Sequence, residues 1–230
     1  KDEAKLMVLA AEYDIETDGR PKEEVALDLA RAVYAEFGKQ EGFVQFTRRA
    51  PQKRVDQWRK MGIDPRGIDR EIVEIMHRTH IGVDNDPVNL ILQGLKASIA
   101  DGWGGSMVAT ELSDVLFGTP EPVRSEANLG VLKEDHVNIV AHGHEPVLSE
   151  MILAAAGDPG LVAKAEAAGA KGINVVGMCC TGNEIIMRHG IPLAGNFMQQ
   201  ELAIITGAVD AMIVDVQCIM PALGDLCECF

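Results

Sequence analysis

The first half of the chain carries apolar residues at the spacing of amphipathic helices. Residues 22–39 and 68–76 each hold an apolar side chain about once per helical turn. The first stripe consists of Val25, Leu29, Val33 and Phe37, and the second of Ile68, Ile72, Ile75 and Met76. This spacing predicts two helices that each bury one apolar face.

A further helix is predicted to begin at Asp86-Pro87, because aspartate is a common N-cap residue and proline fits the first helical position. We expect Trp103-Gly104-Gly105 to break this helix, and another helix to run from about Ser106 to Phe117. No segment before residue 130 has the pattern of a strand.

Short apolar strands alternate with helices after residue 130. The predicted strands are residues 137–141, 172–177 and 211–215, and the predicted helices are residues 146–156, 161–168, 182–189 and 199–206. This alternation implies right-handed crossovers and a parallel sheet. The predicted fold class is therefore α/β, with an all-helical domain over residues 1–132 and a Rossmann-like domain over residues 133–230. The linker is expected within Thr119–Glu134, which is rich in Pro, Glu and Gly.

Composition narrows the class of protein. The chain has 230 residues and a formal net charge of −14. Such an acidic chain is not expected to bind a phosphate backbone, so a nucleic-acid partner is not expected. Its longest apolar runs are too short to span a bilayer, and Lys1–Lys5 have no signal-peptide pattern. The five cysteines, an odd number with two adjacent, favour reduced thiols, and we therefore expect a cytoplasmic protein. Because the sequence starts without Met and stops at Cys229-Phe230, we also expect it to be a piece of a longer chain.

All five cysteines lie in the predicted Rossmann-like domain, at Cys179, Cys180, Cys218, Cys227 and Cys229. An odd number with two adjacent members is a poor disulfide framework, and it favours reduced thiols and metal or redox chemistry.

Candidate metal ligands follow the three predicted strands. His144 comes just after the first strand, Cys180 after the second and Cys218 after the third. Ligands of open α/β sheets bind outside the carboxyl ends of the strands, so we expect these side chains to share one rim. Thiolates with one imidazole suit zinc, copper, nickel or iron–sulfur centres. Ligands from three separate crossovers indicate a large cluster rather than a zinc clip.

The neighbouring candidates are given structural roles. His142 is expected to support the site, and Cys179 to be a small buried residue, because adjacent side chains point in different directions. Cys227 and Cys229 are expected to pack in the next helix or loop, although Cys227-Glu228-Cys229 could bind a metal.

Several further motifs stand out in this sequence: residues 125–132 (SEANLGVL), 142–146 (HGHEP), 172–184 (GINVVGMCCTGNE), 187–192 (MRHGIP), 206–212 (TGAVDAM) and Gln217-Cys218. Together they resemble one family, the nickel-containing carbon monoxide dehydrogenases. The helical half agrees through His77-Arg78-Thr79, Asp86-Pro87-Val88 and Trp103-Gly104-Gly105. The likeness covers nearly the whole chain.

The resemblance implies reversible oxidation of CO with water to CO2, two protons and two electrons at a nickel–iron–sulfur cluster of the Ni-4Fe-4S type. By position it implies that His144, Cys180 and Cys218 are metal ligands, with His144 and Cys180 on iron. It also implies a homodimer, a ferredoxin-type electron acceptor and, in some members, an acetyl-CoA synthase subunit. The family's other [4Fe-4S] clusters, its remaining cluster cysteines and its proton-transfer histidine and lysine belong to segments outside this sequence. We therefore expect this chain alone to be inactive.

Two alternatives remain open from the sequence. One is a hybrid-cluster protein of the hydroxylamine-reductase kind, which has a similar cluster environment without nickel. The other is a non-catalytic scaffold that binds a plain [4Fe-4S] cluster or no metal. Metal content distinguishes the three hypotheses.

Overall fold

The computed structural model, which describes residues 1–230, has no strand before Val137. The chain forms two compact units, Lys1–Leu116 and Phe117–Phe230. The helices of the first part are α1 (Glu3–Glu12), α2 (Lys22–Phe37), α3 (Gln52–Met61), α4 (Ile68–Arg78), α5 (Pro87–Ile99) and α6 (Met107–Phe117). The prediction of a helical first half is confirmed, whereas the domain boundary after residue 132 stays a prediction.

One predicted apolar stripe lies in the core of the first unit and the other does not. Helix α2 buries Val25, Leu29 and Val33 as expected. In α4, by contrast, Ile72 and Met76 are exposed, so the prediction that this stripe is buried is wrong. The buried face of α4 is instead the side that carries Ile68 and Glu71.

The predicted break at Trp103-Gly104-Gly105 is also wrong. The chain continues from α5 through a π-helical segment, Ala100–Ser106, directly into α6. A side chain at Gly104 would come within 3.1 Å of Ile68 and 3.3 Å of Val44. This glycine therefore permits close packing inside a helical stretch rather than ending it.

Glu71 is the centre of a buried ionic network in the first unit. Its side chain is fully buried, and its carboxylate accepts hydrogen bonds from the Arg66 guanidinium at 2.8 and 2.9 Å and from the Gln93 amide at 3.0 Å. The Lys96 ammonium lies 3.7 Å away. Burial by itself would raise the pKa of Glu71, but these partners outweigh it and lower the pKa to about 2.

The second unit is a Rossmann-like α/β fold. Its strands are β1 (Val137–Gly143), β2 (Ile173–Met178), β3 (Leu193–Gly195) and β4 (Ala211–Val214), and its helices are α7 (Pro146–Ala156), α8 (Pro159–Ala167), α9 (Cys179–His189), α10 (Gln200–Ile205) and α11 (Ala222–Cys227). The sheet is parallel throughout, in the order β3-β2-β1-β4. The three predicted strands are confirmed, and β3 was missed because three residues carry no readable period.

Apolar side chains cover both faces of this sheet. Val140 of β1 and Val176 of β2 belong to one core cluster. Their neighbours along the strands, Ala141 of β1 and Val175 of β2, belong to another. Successive strand residues point to opposite faces, so the pattern means that helices cover the sheet on both sides.

A contact between two glycines sets the start of α9 against β2. A Cβ at Gly177 would lie 2.4 Å from the Cα of Gly182, and a Cβ at Gly182 would lie 2.6 Å from the carbonyl carbon of Gly177. Both distances are shorter than the contact that two non-bonded carbon atoms can make, so any side chain here would force the helix away from the strand.

None of the helices alone is long and apolar enough to cross a bilayer, and only the bent pair α7 and α8, taken together, meets the length and composition criteria.

We expect Gly182→Ala to lower the free energy of unfolding by about 1–3 kcal/mol, because the new methyl group would press on the backbone of Gly177. Gly94→Ala is the matched control: Gly94 lies inside α5, and no atom lies within 4 Å of an added Cβ. That variant should gain about 0.5–1 kcal/mol from helix propensity. Urea unfolding followed by circular dichroism measures both, and equal effects would contradict the glycine contact.

Glu71 should make the stability of the protein depend on acid pH. Its pKa is lowered when folded, so its contribution is present above the ordinary value of 4.5 and is lost as the pH falls toward about 2. We expect Glu71→Gln to lower the free energy of unfolding by about 3 kcal/mol near neutral pH, with the difference from the wild type closing between pH 4.5 and 2. The exposed Glu41→Gln serves as the control. A difference that does not change with pH would contradict this role.

Candidate metal centre

The three predicted ligands follow the carboxyl ends of neighbouring strands in the sheet. His144 directly follows β1, Cys180 lies two residues after β2, and Cys218 lies four residues after β4. Strand β1 pairs with β2 on one side and with β4 on the other. The chain proceeds from β1 to β2 and β3 and then returns to β4, so the gap between β1 and β4 is a topological switch point. In open α/β sheets this is the place where ligands bind.

His144 and Cys218 meet at this switch point. The Nε2 atom of His144 lies 3.9 Å from the Sγ atom of Cys218. The other ring nitrogen of His144, Nδ1, is buried and makes no hydrogen bond. The Nδ1 atom of His142 is buried without a partner as well, so the atom of His144 that is placed to bind a metal with Cys218 is Nε2.

Cys180 lies in the first turn of α9, which begins at Cys179 and so starts three residues earlier than predicted. The Cys180 side chain is exposed, while Cys179 is buried as expected. Cys179 has a φ of +58°, which is uncommon for a residue with a side chain and turns the chain sharply out of β2. This turn separates the directions of the two adjacent cysteines.

The cysteines are close enough to affect one another electrostatically. Burial, followed by the charges of Cys218 and Cys180, raises the pKa of Cys179 to about 11. Burial, Cys218 and Glu184 likewise raise the pKa of Cys180. A metal bound by the Cys180 thiolate would offset this effect, because coordination favours the deprotonated thiol.

A buried glutamine supports the loop that carries Cys218. Gln217 and Cys218 have φ values of +65° and +55°, a conformation that needs support in residues other than glycine. The fully buried Gln200 donates to the Cys218 carbonyl at 3.1 Å and accepts from the Met220 N–H at 3.0 Å. The Oε1 atom of Gln200 also lies 3.0 Å from Nε2 of His142, and the supporting role of His142 stays a prediction.

Sequence reasoning missed two residues of this region, Gln200 and Asp215. Asp215 accepts hydrogen bonds from the backbone next to His144 and from Thr181. No sequence signal distinguishes either residue, because their partners are distant along the chain.

The expected packing role of Cys227 and Cys229 is wrong. Cys227 ends α11 and Cys229 follows it, as the sequence indicates, but both side chains are exposed. The Cys229 thiol lies 3.5 Å from the Asp225 carbonyl, within one helical turn.

The donor set fits a cluster better than a single ion. No three His, Cys, Asp or Glu side chains converge on one point in a way that could hold one metal ion. An imidazole close to one thiol, with a second thiol in the helix that follows the neighbouring strand, offers soft donors spread along a rim. Such donors suit nickel, iron–sulfur or zinc chemistry and do not suit magnesium or calcium.

Known proteins resemble this chain over its entire length. The family model described as the Prismane/CO dehydrogenase family matches residues 1–230. Carbon monoxide dehydrogenase 1 of Methanosarcina mazei is 65% identical over 230 residues, covering 100% of this chain and 37% of the relative. The beta subunit of carbon monoxide dehydrogenase/acetyl-CoA synthase of Moorella thermoacetica is 47% identical, covering 100% of this chain and 34% of the relative.

Solved structures agree with the sequence relatives. A nickel-free crystal structure of carbon monoxide dehydrogenase from Thermococcus sp. AM4 superposes with a TM-score of 0.93 at 57% identity, covering 100% of this chain and 37% of that one. The chain thus spans only about a third of the length of the proteins it matches. Over that span, both sequence and fold place it with them, and the chain belongs to the Prismane/CO dehydrogenase family.

Proposed function

We propose that this chain forms part of the active site of an anaerobic carbon monoxide dehydrogenase, which oxidises CO with water to CO2, two protons and two electrons and also runs the reverse reaction. The observation that carries the proposal is the approach of His144 Nε2 to Cys218 Sγ at 3.9 Å, with Cys180 in the first turn of the helix that follows the adjacent strand β2. The named relatives supply the reaction: those of Methanosarcina mazei and Moorella thermoacetica are carbon monoxide dehydrogenases.

We further propose that His144, Cys180 and Cys218 are ligands of a nickel–iron–sulfur cluster. The approach of His144 Nε2 to the Cys218 thiol and the position of Cys180 just after the adjacent strand β2 support this assignment. When bound, such a cluster supplies Lewis-acid and redox chemistry.

The residues of this chain would act by holding those donors in place. The Gln200 side chain donates a hydrogen bond to the backbone carbonyl of Cys218 and so holds that loop. Its oxygen also contacts the His142 ring. The glycine contact between β2 and α9 sets the position of the turn that carries Cys180. Such outer contacts orient metal ligands and are needed for tight binding.

Other parts of the proposal concern the whole protein that contains this chain. We propose that further cluster ligands, the proton-transfer histidine and lysine and additional [4Fe-4S] clusters come from segments outside the 230 residues. A homodimer, a ferredoxin-type electron acceptor and a cytoplasmic location complete the proposal. The name of the Moorella thermoacetica relative supports an acetyl-CoA synthase subunit as a partner. We also keep the proposed division into a helical domain, residues 1–132, and a Rossmann-like domain, residues 133–230.

The two alternatives from the sequence are not favoured by any specific observation. The relatives with reported names are carbon monoxide dehydrogenases rather than hybrid-cluster proteins. A scaffold without metal would give no role to the approach of His144 Nε2 to the Cys218 thiol at 3.9 Å.

The experiment is the nickel and iron content of the whole protein, purified without oxygen, together with its CO oxidation rate. We expect Cys218→Ala to lose nickel and to slow CO oxidation by more than about 100-fold, because a ligand at the switch point is removed. Cys227→Ala is the matched control, since it removes another exposed cysteine, one that ends α11 and is not among the proposed ligands. It should keep both properties within about twofold, because it leaves the outer contacts of the site intact.

Other results would redirect the assignment. Iron without nickel in the wild-type protein would indicate the hybrid-cluster hypothesis, and a protein without metal would indicate the scaffold. Equal loss of nickel in Cys218→Ala and Cys227→Ala would contradict the proposed ligand set.

A further inference from the structure

We propose that Asp215 is the positioning residue of this centre, because its carboxylate joins the segments that carry His144, Cys180 and Cys218. The inference rests on the proposed function for the identity of the metals. The contacts themselves belong to the fold and can be tested apart from any metal.

The strongest contacts run to the backbone beside His144. The Oδ1 atom of Asp215 accepts a hydrogen bond from the His144 N–H at 2.6 Å, and Oδ2 accepts one from the Glu145 N–H at 3.1 Å. The backbone N–H of Asp215 also donates to the His142 carbonyl at 3.1 Å, as part of the pairing between the strands. The end of β4 therefore holds the turn in which His144 lies.

A second set of contacts reaches α9. The hydroxyl of Thr181, the residue after Cys180, donates to Oδ2 of Asp215 at 3.1 Å. Thr181 is almost completely buried, and the other acceptor near this hydroxyl, the Glu145 carbonyl, lies farther away at 3.5 Å. The carboxylate thus connects β4 to the first turn of the helix that carries Cys180.

The third segment is the loop of Asp215 itself. The Val216 N–H donates to Oδ1, which turns the chain immediately after β4. Two residues later this loop presents Cys218 in its left-handed conformation. The direction in which the loop leaves the strand is therefore tied to the same carboxylate as the other two segments.

These contacts use the whole acceptor capacity of the carboxylate. Each oxygen accepts two donors: His144 N–H and Val216 N–H at Oδ1, and Glu145 N–H and Thr181 hydroxyl at Oδ2. An ionised carboxylate offers about four lone-pair sites, and it donates nothing. No site is left for a metal, so Asp215 acts on the ligands from behind and is not a ligand itself.

Gly143 shows how closely the carboxylate fits. A Cβ at this position would lie 1.7 Å from Oδ1 of Asp215, and its φ of +133° belongs to the region that favours glycine. The glycine between His142 and His144 is therefore required by the carboxylate on the neighbouring strand.

Asparagine is the discriminating substitution at position 215. It keeps the shape of aspartate but replaces one acceptor oxygen with an NH2 group, which would face two donors instead of accepting from them. Asp215→Asn should thus loosen the His144 turn or the Thr181 contact without creating a cavity.

Asp210 provides a matched control on the same strand. Its carboxylate accepts the Asn138 N–H at 2.7 Å and lies before β4, at the opposite end from the ligands. Asp210→Asn makes the same type of substitution and also weakens the contact between β1 and the start of β4. It should leave the rim with His144 and Cys218 unaltered.

The experiment compares the two variants in the whole protein, with three measurements. They are nickel and iron per chain, the thermal midpoint, and hydrogen–deuterium exchange of peptides that contain residues 142–147. For Asp215→Asn we expect at least a several-fold loss of nickel, since removal of outer hydrogen bonds costs about 10–100-fold in metal affinity. We also expect faster exchange at His144 and Glu145, in metal-free protein as well. Asp210→Asn should match the wild type in metal content and in exchange at these amides.

Each outcome decides the proposal. Nickel retained in Asp215→Asn at the level of Asp210→Asn would overturn it. Equal losses of metal and thermal midpoint in both variants would also overturn it, because the effect would then be general loosening of the sheet. If the wild-type protein contains no nickel, the proposed function fails, and the exchange at His144 and Glu145 alone decides whether Asp215 holds the turn.

Discussion

The parallel pairing of β1 with both β2 and β4 is the constraint on which the rest of the second unit depends. Backbone hydrogen bonds fix the register, so that His142 lies opposite Met178 on one side and Val214 on the other. The three strands therefore end at the same level of the sheet. Everything that follows them in sequence must emerge at one rim, and the candidate ligands do so.

That rim is supported by polar groups rather than by apolar packing alone. Gln200 and Thr181 are buried, and their side chains bond to the backbone or to the carboxylate of segments that carry ligands. Buried hydrogen bonds are directional, so they fix the orientation of a loop more sharply than contact between apolar side chains. Two residues in the left-handed conformation, Gln217 and Cys218, can persist here because the surrounding bonds hold them.

Electrostatics give the same region its chemical character. Thiols gathered at one place, partly removed from water, resist deprotonation, which is why the pKa values of Cys179 and Cys180 are raised. Coordination of a metal would supply free energy for forming the thiolate of a ligand cysteine. The first unit shows the contrasting case: buried Glu71 has its own cationic partners, and its charge is stabilised without any metal.

The periodicity of the sequence determined the helical first half, the alternation that followed and the three long strands, because these features depend on neighbouring residues. It was wrong where packing decided the outcome. Ile72 and Met76 have helical spacing but lie exposed, since a salt bridge between Glu71 and Arg66 occupies the buried side of α4. The glycines after Trp103 suggested a break, yet the chain stays helical because Gly104 packs against Ile68.

The candidate site divides in the same way. The sequence by itself determined the ligand types and their places after strands, because the chemistry of His144, Cys180 and Cys218 and the ends of apolar segments can be read locally. Only the tertiary structure decided that β4 lies beside β1, which brings Cys218 within 3.9 Å of His144. It alone identified Gln200 and Asp215, since a buried hydrogen bond between residues 18 or 71 positions apart leaves no periodic trace in the chain.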